Sequence, residues 1–486
     1  MADIRTEFKR IDNILFEDAG TNGANDYMAQ MSWILFLKYL DDLEDTRKSE
    51  AVFHGQTYEP LFKEEFQWDT WAAPKLTSGK PDISTQMTGD DLIEFVNQKL
   101  FPYLKSFKST ENDPKSLVYK IGEIFGEVTN KINSGRNLRE VIDIIDALQF
   151  QTQDELDQLS ALYEDRLKLM GGAGRSGEYY TPRPLIQALV QAVDPELGKT
   201  IYDGAAGSAG FLTEAYAYLR SKVETSSELK FLKEDTFYGK NKKPEPYLLG
   251  TMNMILHGIE SPNMTHANTL NEDTRAIQEK DRYDYILANP PFGGNERPEV
   301  QRNFKVQTRE TANLFLQHFM KKLRTGGEAA IVIKNTFLTN EPTGATGKIR
   351  KELLEGYSLH TVLDLPGGVF SATGSTGVKT VVLFFRKGEP TREIWYYQLN
   401  PGRNLGKTNP LNINDFSDFL AKYKTRETSE QSWTVKVENI DQTTLDLGVK
   451  NPHEPEAEKL KTPEEILEDI KNIDKEVAGL LEVIKL

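Results

Sequence analysis

The stretch Thr200–Leu212, TIYDGAAGSAGFL, decides the fold. A short apolar run ends at Asp203, a turn carrying Gly204, Gly207 and Gly210 follows, and a helical pattern opens near Phe211. A strand that passes through a glycine turn into a helix is the opening unit of a doubly wound sheet. In such sheets ligands bind at the carboxyl ends of the strands, where glycines let the backbone approach closely. The glycine spacing is not the G-x-G-x-x-G of dinucleotide-binding folds. By itself the turn reads equally as a ligand cradle or as a tight connection.

Working outward, the same alternation continues. Besides Thr200–Asp203, strands are expected at Thr236–Gly239, Tyr283–Ala288, Glu328–Lys334, Thr361–Leu365 and Val378–Arg386. Helices are expected at Phe211–Lys222, Pro246–His257, Asn313–Arg324 and Lys348–Glu355. Short apolar strands separated by helices predict an α/β fold with a parallel sheet covered on both faces. Only a glycine- and serine-rich loop separates the last two strands, so the last is expected to run antiparallel.

A second motif, LANPPFGG (Leu287–Gly294), follows the apolar strand YDYIL. It falls on the same rim of the sheet as the glycine turn. An exocyclic amine conjugated to an aromatic ring is a poor nucleophile. Two carbonyl-type acceptors can hold its N–H groups and steer its lone pair toward an electrophilic methyl. The Asn289 side-chain oxygen and the Pro290 main-chain oxygen are the candidates, and Pro290 and Pro291 fix the backbone so that both converge. Phe292 offers a flat face for a base turned out of a duplex. The plain alternative is a strand ending in a Pro-Pro turn. A third segment, GEYYTPRPL (Gly177–Leu185), precedes the first strand. Its aromatics and Thr181 suit closure over a cofactor, and it serves equally as a domain-entry loop.

The flanks carry no such chemistry. From Ile4 to about Asp165 apolar residues recur at three and four, as in MAQMSWILFLKYLDDLED, which predicts a helical packing or docking domain. After about Asn400 the sequence turns polar and irregular. A last helix is expected from Thr462-Pro463-Glu464-Glu465, a capping box with proline in the first turn. Ile466, Ile470, Ile473, Val477, Leu480 and Ile484 then form a coiled-coil-like stripe, packed either on the chain's own domain or on a partner.

Composition narrows the classes. The 486 residues contain no cysteine and six histidines, so disulfides, thiolate metal sites and a Cys nucleophile are excluded and no metal is expected. No apolar run reaches the ~18 residues of a membrane span, and the polar N-terminus lacks a signal-peptide core, so a cytoplasmic protein is expected. Lys plus Arg is 59 against 74 Asp plus Glu, a net charge of −15. A chain that grips nucleic acid alone usually shows a basic bias, so a local patch or a partner must supply the phosphate contacts.

The order EYYTPRP, DGAAGSAGFL, NPPFGG resembles the modification subunit (HsdM) of type I restriction–modification systems, the γ-ordered class of N6-adenine DNA methyltransferases. YLLGTMNMILHGIE, FLQHFMKKLRTGGEAAIVIKNTFL and VKTVVLFF followed by IWYYQLNPGRN are also similar to that family, and the likeness covers nearly the whole chain. The resemblance implies a Rossmann-like S-adenosylmethionine-dependent methyltransferase core at 166–400, an N-terminal all-helical domain at 1–165, and a C-terminal segment at 401–486 with the docking helix. It implies that Glu178, Tyr179, Tyr180, Thr181, Pro182 and Arg183 form part of the S-adenosylmethionine pocket. Asp203 would lie near the methionine amino group, Gly207, Ser208, Ala209 and Gly210 around the cofactor, and Asn268 against its adenine. Asn289, Pro290, Pro291 and Phe292 would form the catalytic motif. Where relatives often carry an acid for the ribose hydroxyls, FYGKNKK places Asn241, with Glu245 as a candidate substitute.

The resemblance also implies partners: double-stranded DNA, a specificity subunit bound by two copies of this chain, and a restriction subunit. The absence of a G-x-x-x-x-G-K-[ST] pattern leaves ATP use to the last of these. Two rival readings remain at this stage. One is an NPPF-type methyltransferase of RNA bases or protein glutamine. The other is a catalytically degenerate structural subunit of an antiviral complex, favoured only by Asn241.

Overall fold

A computed structural model describes residues 4–148, 163, 181–259, 261–339, 344–370, 378–406, 408–453, 466–468, 470–475 and 477. Among them nine strands form one sheet. They are β1 Ile201–Asp203, β2 Phe237–Asn241, β3 Asn263–His266, β4 Tyr283–Ala288, β5 Leu323–Lys334, β6 Tyr357–Asp364, β7 Thr380–Lys387, β8 Glu393–Gln398 and β9 Ser432–Lys436. Their order is β3-β2-β1-β4-β5-β7-β6-β8-β9. From β3 to β5 every pairing is parallel. The carboxyl-terminal halves of the central strands are apolar: Ile286–Ala288 and Ala329–Ile333 are buried, as strands covered by helices on both faces must be. The expected antiparallel strand is β7, inserted between β5 and β6 and antiparallel to both.

The six expected strands are all present; Tyr283–Ala288 matches residue for residue, and the other five have shifted ends. β2 runs on to Asn241 because it continues to pair with β3, Asn241 opposite His266. β5 begins at Leu323, which meets Tyr283 ahead of a register shift. Three strands were not expected. β3 is the four-residue edge segment NMTH, too short and polar to show a period. β8 lies parallel to β6, and β9 antiparallel to β8. The stretch after Asn400, expected to be irregular, therefore returns to the sheet at Ser432–Lys436, where Trp433 stacks on Tyr396 with ring centroids 5.5 Å apart.

The N-terminal region is helical over Ile4–Glu17, Ala24–Phe53, Leu117–Glu127 and Gly135–Asp146, with shorter helices between. In the Gly135–Asp146 helix, Leu138, Val141, Ile142 and Ile145 recur at helical spacing and are buried. Ser134 caps it by accepting from the Asn137 N–H. The helix Pro244–Leu256 joins this region to the sheet. Its Leu248, Leu249, Met252, Ile255 and Leu256 belong to the N-terminal core, and its Tyr247 and Met254 to the core on the sheet. Full burial stabilises by about 1.5–3 kcal/mol per large apolar side chain, so this packing outweighs any single hydrogen bond across the junction, worth about 1 kcal/mol. One such bond is from Lys120 Nζ to the Met264 carbonyl of β3, at 2.8 Å.

At the end of the chain, residues 466–468, 470–475 and 477 are helical. Ile466, Ile470, Ile473 and Val477 are roughly half exposed there (47–58%). Thr462–Glu465, Leu480 and Ile484 lie outside the described residues. No helix among the described residues is long and apolar enough to cross a membrane.

Candidate functional site

β1 has β2 on one side and β4 on the other, so strand order reverses at β1. A crevice opens at the carboxyl ends of strands at such a switch point. Here it is a cleft of about 530 Å³, within the usual range of small-molecule sites. The glycine turn after β1 and the NPPF segment after β4 face each other across it. Asp203, Gly204, Gly207, Asn241, Asn289 and Phe292 are among its lining residues.

Main-chain geometry and three side chains hold the turn. Gly207 has φ +53°, a conformation L-residues rarely adopt. Asn241 Oδ1 accepts from the Gly207 N–H at 2.8 Å, and its Nδ2 donates to the Gly207 carbonyl at 2.9 Å and the Pro246 carbonyl at 3.1 Å. Asn253 Nδ2 donates to the Ser208 carbonyl at 2.8 Å. Thr269 Oγ1 donates to the Gly204 carbonyl at 2.6 Å. Ala209, at φ +63°, then turns the chain into the helix Gly210–Arg220.

Asp203 closes the floor of the cleft. It is 1% exposed, and its Oδ1 accepts from the Ala205 N–H at 2.9 Å. Burial disfavours its charge more than this bond restores it, and the carboxyl is pushed up to about 7. A cation entering the cleft would find an acid ready to ionise.

Asn289 directly follows β4. Its Nδ2 donates to Thr181 Oγ1 at 2.9 Å. Its Oδ1 is buried and has no hydrogen-bond partner among the described residues. A buried acceptor left without a donor is costly, and here it faces the cleft, where a ligand can supply one. Pro290 is buried behind it, while Pro291 and Phe292 lie on the cleft wall. Gly294 passes so close to Thr311 that a Cβ would lie 2.6 Å from the hydroxyl.

Other expected site residues are placed unevenly. Ser208 and Gly210 line the cleft, and so do Asn268 and Glu245. Asn268 also caps a short 3-10 turn by accepting from the Leu270 N–H. Asn241 is on the wall, but both its amide hydrogens and one oxygen lone pair go to main chain, which leaves one lone pair for a ligand. The run Glu178–Arg183 was expected to serve the pocket as a block. Glu178, Tyr179 and Tyr180 lie outside the described residues. Of the rest only Thr181 reaches the cleft: Pro182 precedes the helix Arg183–Val193, and the Arg183 guanidinium pairs with Glu214 at 2.6 Å. Asn25, Lys240, Thr311 and Phe315 line the cleft without having been expected. Asn25 comes from the start of a helix in the N-terminal region, and nothing in the local sequence marks it.

Comparison with known proteins agrees with this geometry. The family model described as N-6 DNA Methylase matches residues 154–461, and that of the HsdM N-terminal domain matches residues 12–145. The type I restriction enzyme EcoEI methylase subunit of Escherichia coli is 36% identical, over 98% of this chain and 96% of its own length. This chain belongs to the methylase subunits of type I restriction enzymes. A crystal structure of a type I modification subunit from Vibrio vulnificus YJ016 superposes with a TM-score of 0.82 at 35% identity, over 93% of this chain and 97% of that one. A type I methyltransferase subunit from Streptococcus thermophilus shares the fold, with a TM-score of 0.68 at 22% identity over 92% and 99%. As a type I methylase subunit the chain is an adenine-N6 DNA methyltransferase and part of a multisubunit system that acts on DNA. The readings as an RNA-base or protein-glutamine enzyme fall away.

Proposed function

We propose that the cleft holds S-adenosylmethionine and that Asn289 and Pro290 present the adenine amine to it. When bound, this cofactor supplies a methyl already activated on a sulfonium. The residues present fit it. Asp203 provides a buried acid for its ammonium, the turn at Gly204–Gly210 leaves room for its body, and Asn268 and Glu245 offer polar contacts on the wall.

The unpartnered Oδ1 of Asn289 carries the reading. It accepts one N6 hydrogen, the Pro290 carbonyl accepts the other, and the lone pair is turned toward the cofactor. Phe292 stacks on the extruded base. The amine needs orientation more than a strong base, so positioning supplies most of the rate. When N6 takes the methyl, the donor's C–S bond would break with its electron pair kept by sulfur as a neutral thioether, and the surplus N6 proton would pass to solvent.

We further propose that two copies of this chain join one specificity subunit, which reads the sequence of double-stranded DNA, and that a restriction subunit docks on that assembly. The acidic charge of −15 supports shared DNA contact. The test is Asn289→Ala in the assembled complex. N6 methylation should be abolished while fold, assembly and cofactor binding persist; wild-type activity would overturn the assignment.

A further inference from the structure

We propose that Thr181 is a positioning residue for Asn289, whose hydroxyl takes up the amide nitrogen so that only the oxygen faces the adenine amine. This rests on the reading of Asn289 as the acceptor for that amine.

The two ends of an Asn amide have nearly the same shape and opposite hydrogen-bonding sense. The terminal torsion is broad and roughly two-fold, so nothing intrinsic to the side chain prefers one end. At this site the choice decides the chemistry. An NH2 facing an amine sets donor against donor and leaves the lone pair undirected. An oxygen facing it accepts a hydrogen and aims the lone pair.

Thr181 holds the nitrogen end of that amide. Its Oγ1 lies 2.9 Å from Asn289 Nδ2, and it is only 9% exposed. It is also firmly mounted. Pro182 restricts the backbone of the residue before it to the extended region. The helix that begins at Arg183 is anchored by buried Leu185, Ile186 and Leu189, and the Arg183–Glu214 ion pair ties its first turn to the helix Gly210–Arg220. A hydroxyl can accept or donate; here Oγ1 accepts from the Asn289 amide nitrogen, and that direction leaves the oxygen as the free end. With one of its N–H groups held by Thr181, Asn289 presents its oxygen as the free acceptor, and that Oδ1 has no partner among the described residues.

The sequence motif alone suggested a cofactor contact for Thr181, and the two roles differ in what they move. Thr181→Val keeps the shape and removes the hydroxyl; Thr181→Ser keeps the hydroxyl. Both are measured in the full chain assembled with its specificity subunit, on unmethylated duplex DNA. The expected result is a kcat lower by roughly 10- to 100-fold for Thr181→Val, the scale of loss when a reacting group is misplaced. Binding of S-adenosylhomocysteine by calorimetry should stay within about threefold of wild type, since only the transition state is affected. Thr181→Ser should restore most of kcat. An unchanged kcat in Thr181→Val, or a loss of S-adenosylhomocysteine affinity that accounts for the lost rate, would overturn the positioning role. Asn289→Ala is run alongside. If it is inactive while Thr181→Val is fully active, only the role of Thr181 fails. If it is active, the reading of Asn289 fails and the role of Thr181 with it.

Discussion

Asn241 grips both polar main-chain atoms of Gly207, accepting from its N–H at 2.8 Å and donating to its carbonyl at 2.9 Å. The end of β2 thereby fixes the turn that follows β1. An amide can make this pair of bonds because it carries a donor and an acceptor side by side; a carboxylate cannot. Asn241→Asp would set negative oxygen against the Gly207 and Pro246 carbonyls. The expected cost is about 1–3 kcal/mol of stability, the penalty for stranding buried polar groups. With the turn as the proposed cradle, S-adenosylhomocysteine should bind at least roughly 10-fold more weakly, the scale of about 1.4 kcal/mol. Calorimetry and thermal unfolding check both, and tighter binding in the Asp variant would show that a ribose acid matters more than the clamp.

Gly250 presses on the same turn from behind. A Cβ there would lie 2.7 Å from the Gly207 carbonyl oxygen and 3.4 Å from the Ala209 nitrogen. Main chain cannot swing aside as a side-chain tip can. Gly250→Ala is expected to lower stability by about 1–3 kcal/mol, as overpacking does. It should also weaken S-adenosylhomocysteine binding, and full affinity in a calorimetric titration would show that the turn yields at no cost.

Cofactor binding should depend on pH through Asp203. Its carboxyl is raised from 3.8 to about 7 by burial. The unfolded chain ionises first, so the stability this group contributes is lost as pH rises through 7. A bound ammonium favours the ionised form, so at pH 6 binding must expel a proton that is already gone at pH 8. Affinity for S-adenosylmethionine should therefore rise by roughly 10-fold from pH 6 to 8. Asp203→Asn should be weaker and flat over that range, and a wild type equally flat would remove Asp203 from the ammonium site.

The apolar stripe near the end of the chain gives an assembly prediction. Ile470 and Ile473 are 49% and 58% exposed, which suits a surface covered by a partner. Ile470→Glu with Ile473→Glu, or deletion of 462–486, should weaken complex formation with the specificity subunit by at least about 10-fold, the scale of one lost anchor. Cofactor binding should not change. Co-elution on size exclusion at wild-type concentrations would place the docking surface elsewhere.

The central strands of the parallel half were legible because their apolar segments, Tyr285–Ala288 before Asn289 and Ala329–Ile333, are bounded by turn signals and followed by helical periods. The edge was not: NMTH in β3 and SWTVK in β9 are short and half polar, and pairing rather than composition makes them strands. The glycine turn and NPPF were legible because each needs special backbone at a strand end. What holds them was hidden. Thr181 meets Asn289 across 108 positions and Asn241 meets Gly207 across 34, and no local pattern announces either bond. Asn241 reads in sequence as a weakened ribose ligand. In three dimensions it is a brace, with most of its hydrogen-bonding capacity spent on main chain.

The helix Pro244–Leu256 sits with one side in the N-terminal core and its Gly250 against the glycine turn after β1. A rotation of the helical region relative to the sheet must either carry this helix along or tear one of its two sets of contacts. A movement of the helical region that altered the Gly250 contact would be coupled to occupancy of the cleft. Linkage makes that traffic two-way: if closing on DNA tightens the grip on the methyl donor, the donor tightens the grip on DNA by the same factor.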